Sequence, residues 1–62
     1  MTRKESRDIA KGAWRAFTLR NERETTIGRY HASVHVGTYG DYVIVTRDDG
    51  HVSREAVYAS WG

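Results

Sequence analysis

His31 and His35 stand four residues apart, the interval at which two imidazoles on one helix face chelate zinc. The segment that carries them, RYHASVHV, alternates apolar and polar residues and therefore predicts a strand. On a strand the two rings lie about 13 Å apart along the chain. No Glu stands between them to act as a base, and no further ligand has metal-site spacing, so no metal site is expected. Ser33, Asp41, Asp48, Asp49, His51 and Ser53 are types suited to nucleophile and base work, yet none lies in a motif that implies its partners. Asp48-Asp49-Gly50 predicts a turn, where Asp bonds local backbone and Gly takes positive φ. It is too short for a calcium loop of about twelve residues. GTYGD has glycines three apart but no following Lys-Ser/Thr, so it predicts a hairpin loop and not a phosphate cradle. A chain this small rarely encloses a pocket on the order of several hundred Å³. The expectation is a non-enzymatic protein with no cofactor.

Binding chemistry is better represented. Arg3, Arg7, Lys11 and Arg15 recur every fourth position, with Lys4 beside them and Trp14 close by. Like charges at i, i+4 repel by a few tenths of a kcal/mol, and a merely solvated face usually alternates signs. Here only Glu5 and Asp8 are near, and only Asp8 is placed to compensate, beside Lys4 and Lys11. Such a face can neutralise phosphates, with Trp14 stacking on a base or wedging in a groove. It suits an acidic patch on a protein equally well, since Arg, Trp and Tyr are the types enriched at binding hot spots. Tyr39, in the GTYGD loop, is a further contact candidate, the alternative being that it folds back over the hairpin. The candidate partner-binding residues are thus Arg3, Lys4, Arg7, Lys11, Trp14, Arg15 and Tyr39.

The bulk properties frame these candidates. Sixty-two residues make a single small domain, residues 1–62, of marginal stability. There is no Cys, which excludes disulfides, thiolate zinc sites and cysteine nucleophiles. No run is apolar enough to span a membrane and no signal peptide is visible, so a cytoplasmic location is expected. The net charge of +2 is unevenly spread. Residues 1–23 hold seven Lys/Arg against three acids, and residues 24–62 hold three Arg against five acids.

Residues 2–5, Thr-Arg-Lys-Glu, fit a capping box that opens a helix over about residues 3–20. Ile9, Ala13, Ala16 and Phe17 fall on its apolar face, the basic residues opposite, and Trp14 at the border. Gly12 costs about 1 kcal/mol against Ala in mid-helix, which suggests a close backbone approach there. RNERETT reads as a connection. A first strand follows, with Tyr30, Ala32, Val34 and Val36 on one face, then YVIVTR as a second strand, apolar on both. A five-residue loop places Val36 opposite Tyr42 and Val34 opposite Ile44, which points Tyr42 and Ile44 toward the helix and leaves Val43 and Val45 to be covered. A homodimer through Val43 and Val45, or through a sheet edge, is one way to cover them. His51 and Val52 start a short third strand. The rest of the C-terminal segment is ambiguous: Ser53 can cap a short helix with Val52 and Val57 as a staple, or Val52, Arg54, Ala56 and Tyr58 can alternate with Ser53, Glu55 and Val57 along a strand. The helix is preferred.

The expected fold is α+β, an N-terminal amphipathic helix on a small antiparallel sheet of two or three strands with a short C-terminal helix or strand. The expected core includes Ile9, Ala13, Phe17, Val34, Val36, Ile44 and Val57. The expected function is that of a regulator or inhibitor acting on a host or partner protein; by size alone, accessory proteins of phages and mobile elements are of this kind. Nucleic-acid binding through the basic helix face is the alternative, with protein slightly favoured.

Overall fold

The computed structural model describes residues 2–61 and shows the α+β architecture, one helix packed on one antiparallel sheet. Helix α1 spans Arg3–Arg20. The Thr2 hydroxyl accepts from the Glu5 amide at 3.2 Å, satisfying one of the free N–H groups of the first turn. Asn21 closes the helix in the left-handed region, at φ 56°, its N–H donating to the Phe17 carbonyl and the Glu22 N–H to the Ala16 carbonyl. The buried face is made of small residues, Ser6, Ala10, Ala13 and Ala16, which let the helix lie close to the sheet.

The sheet has four strands in the order β1-β2-β3-β4: Glu24–Ile27, Tyr30–Gly37, Gly40–Arg47 and Val52–Ala56. RNERETT is therefore not only a connection, because its end forms edge strand β1, paired with β2 from Glu24 opposite Ser33 to Ile27 opposite Tyr30. Its polar composition resembles a loop because an edge strand has little to bury.

The β2–β3 hairpin corrects the expected register. Gly37 pairs with Gly40, so the turn holds only Thr38 and Tyr39. Val36 stands opposite Asp41, and Val34 opposite Val43. This is a slip of one residue, and a slip of one exchanges the faces of a strand. Val43 and Val45 consequently lie under α1, both 0% exposed, while Tyr42 and Ile44 face the other way. Homodimerisation through Val43 and Val45 has no surface to use.

Ala10, Ala13, Ala32, Val34, Val43 and Val45 form the core, with Ile9, Trp14, Phe17, Tyr30, Val57 and Trp61 packed around it. Val36, expected inside, is 56% exposed near the hairpin end, where its partner is Asp41. Gly12 makes no close approach: a Cβ there would meet Ile27 Cδ1 at an ordinary 3.5 Å.

The C-terminal segment is also corrected. Ser53 caps no helix; it sits inside β4, opposite Val45. Only a 3-10 turn, Ala59–Trp61, follows. Backbone pairing to β3 at five successive positions outweighs the helix signals of a segment this short. Among the described residues no helix is long and apolar enough to cross a membrane.

Candidate functional site

Among the described residues, five cations on the helix lie together without a counterion, whereas elsewhere the arginines are ion-paired or, like Arg23 and Arg54, stand singly over an aromatic ring. Arg20 pairs with Glu22, Arg29 with Asp48 and Arg47 with Asp49. Among the described residues, Arg3, Lys4, Arg7, Lys11 and Arg15 form no ion pair, and all five are exposed. The nearby acid Glu5 is turned elsewhere: the Tyr30 hydroxyl donates to its Oε2 at 2.6 Å and holds the carboxyl below its ordinary value.

Steps of four residues climb about 6 Å and precess about 40° around a helix. The ladder Arg3, Arg7, Lys11, Arg15 therefore winds across the helix surface. Arg3 lines a cleft between the start of α1 and strand β4. Arg7 sits over the Tyr58 ring at 5.6 Å. Lys11 and Arg15 line a separate shallow dish with Asp8 and Gly12. The basic surface runs from the β4 side of the molecule onto the outer side of the helix, with Lys4 exposed beside it.

Trp14 is less available than its type suggested. It is half-buried, 5.3 Å from the Phe17 ring, and packs against the core. It borders a hollow with Val57 and Tyr58. Tyr39 does the opposite. It stands fully exposed at the hairpin tip, 103% of the reference area, and does not fold back. It lines a second hollow with Tyr42, Arg54 and Ala56.

Arg54 is the residue that sequence reasoning missed. It borders both the cleft with Arg3 and the hollow with Tyr39. Its guanidinium lies 4.1 Å from the Tyr42 ring centroid, and His35 stacks with the same ring at 5.0 Å. The alternation Val52, Arg54, Ala56 was the available signal, and it becomes decisive only once the segment is known to be a strand. On the floor of the cleft, Ser6 and Ser53 both donate to Glu55 Oε2, at 2.9 and 2.7 Å.

The histidines are separately engaged. His31 Nε2 lies 3.1 Å from Glu24 Oε1, His35 Nε2 lies 3.0 Å from Ser33 Oγ, and the His51 amide donates to Asp49. Among the described residues no group of three or more metal-ligating side chains converges. No protein-family model matches this chain, and no curated protein or solved structure proves similar to it.

Proposed function

We propose that the chain is a small non-enzymatic binding protein that regulates or inhibits a partner protein by docking an acidic surface on the unpaired cations of α1, in the cytoplasm. The observation that carries this reading is the clustering of unpaired cations: Arg3, Lys4, Arg7, Lys11 and Arg15 lie on one helix, exposed and without an ion pair among the described residues, whereas elsewhere unpaired arginines stand singly, Arg23 over the Phe17 ring and Arg54 over Tyr42. An unpaired cation ladder costs self-repulsion in the free protein, and an acidic partner relieves it while steering association. A protein partner is favoured over nucleic acid because Trp14, the side chain best suited to stack on bases, is held against the core. Charge reversal tests the proposal. Arg7→Glu/Lys11→Glu should weaken binding of fluorescein-labelled polyglutamate by about tenfold or more in an anisotropy titration. Unchanged affinity in a folded double variant would overturn it.

A further inference from the structure

We propose that the β4 edge of the sheet is a strand-addition site for an extended acidic segment of a partner protein. The proposal rests on the reading of α1 as an acid-binding surface and deepens it by naming the shape that is recognised.

The backbone pattern leaves this edge open. Arg47 N–H donates to the His51 carbonyl and Val57 N–H to the Asp41 carbonyl. In an antiparallel pair, hydrogen-bonded positions alternate, so Ser53 and Glu55 point their backbone groups at β3. Val52, Arg54 and Ala56 then point theirs outward. No strand lies beyond β4, and all three residues are exposed, Val52 by 66%. Five residues without Pro or Gly make a usable template.

Charge selects the occupant. Arg54 stands at the middle of the edge, Arg3 faces the cleft along its α1 side, and Arg7 lies above Tyr58 just past its end. An added strand sends alternate side chains to the two faces of the sheet: acidic residues on the open face meet Arg54, while on the α1 face Arg3 shares its cleft with Glu55, whose Oε2 is engaged by Ser6 and Ser53. Tyr39 and Tyr42 provide apolar surface at the far end. A second copy of the chain fits worse. Full-length antiparallel self-pairing of Val52–Ala56 centres on Arg54 and sets it against its own image, and like charges directly opposite are destabilising. The opposite edge, β1, carries Arg23 and Glu24 side by side, and so offers no clear excess of positive charge to select an acidic strand.

The test uses a synthetic peptide of alternating Glu and Val, and the same peptide N-methylated throughout, which keeps the charge and removes the backbone donors. Each is titrated into the ¹⁵N-labelled full chain. The expected result is shifts of the Val52, Arg54 and Ala56 amides with the first peptide and binding about tenfold weaker with the second. Val52→Pro removes an outward donor and no ladder bond, and should weaken the first peptide similarly while keeping a folded spectrum. If that variant does not fold, the comparison of the two peptides on the unaltered chain decides. Equal binding of both peptides, with shifts confined to α1, would overturn strand addition and leave the acid-binding surface standing. Shifts from neither peptide would overturn both. Concentration-dependent shifts of the β4 amides in the peptide-free chain would overturn the proposal in favour of self-pairing.

Discussion

Ser6 on α1 donates to Glu55 on β4 across 2.9 Å of space and 49 residues of sequence. Ser6 is the one polar side chain on an otherwise alanine-lined buried face of the helix. The bond fixes the start of the basic ladder against the edge strand, so the surface made by Arg3 and Arg54 depends on it. Ser6→Ala should destabilise the fold by about 1 kcal/mol, the hydrogen-bond loss being partly offset by the better helix propensity of Ala. Urea unfolding measures this, and an unchanged midpoint would show that the bond contributes nothing.

The corrected hairpin register makes a sharper prediction. Val43 is fully buried under α1, whereas Ile44 lies on the opposite face. Val43→Ala should cost about 2 kcal/mol, and Ile44→Ala less than about 1 kcal/mol. The opposite order would restore the register in which Ile44 meets the helix.

That error shows where the sequence stopped being informative. The helix was legible because Thr2, Glu5 and the spacing of Ala13, Ala16 and Phe17 agree on one start and one buried face. The strand pattern of β2 was equally clear. In YVIVTR both faces are apolar, so packing of Val34 against Val43 or against Ile44 satisfies the pattern alike. Loop length then decides, and the two glycines of GTYGD, which have the composition of a loop, end the strands instead. Strand β1 was hidden by its polarity, and β4 by a Ser that imitates a helix cap. The basic ladder was fully legible. Its relation to Arg54 was not, because that relation exists only after β4 joins the sheet. The surroundings of Trp14 were hidden for a related reason: its border position on the helix does not reveal that Val57 and Tyr58 come to line a hollow beside it.

Gly12 offers a gain in stability. It is exposed in mid-helix, and a methyl group there would make an ordinary contact with Ile27. Gly12→Ala should stabilise the protein by about 0.5–1 kcal/mol, seen as a higher melting temperature. A loss would indicate that the helix backbone sits closer to β1 than 3.5 Å implies.

Stability should also fall in acid. Tyr30 holds the Glu5 carboxyl below its ordinary value, Arg29 does so for Asp48, and Arg47 lowers Asp49 most strongly. In the unfolded chain these groups return to ordinary values near about 4. Their contribution is therefore complete above about pH 5 and is lost as the pH falls through the lower folded values. Melting temperature should be level from about pH 7 to 5 and decline below about 4. Asp49→Asn should make that decline shallower. A flat profile down to about pH 2 would contradict the pairing of these carboxylates in solution.

The central claim is that the cations of α1 meet an acidic protein surface. Its most direct test is a competition, by fluorescence anisotropy, between polyglutamate and random-sequence duplex DNA at low and at moderate salt. The account predicts that polyglutamate is held more tightly than duplex at moderate salt and that Arg3→Ala/Arg7→Ala removes the preference. Tighter binding of duplex, with a salt slope that drops by about one unit for each helix cation removed, would contradict it and assign the ladder to phosphates.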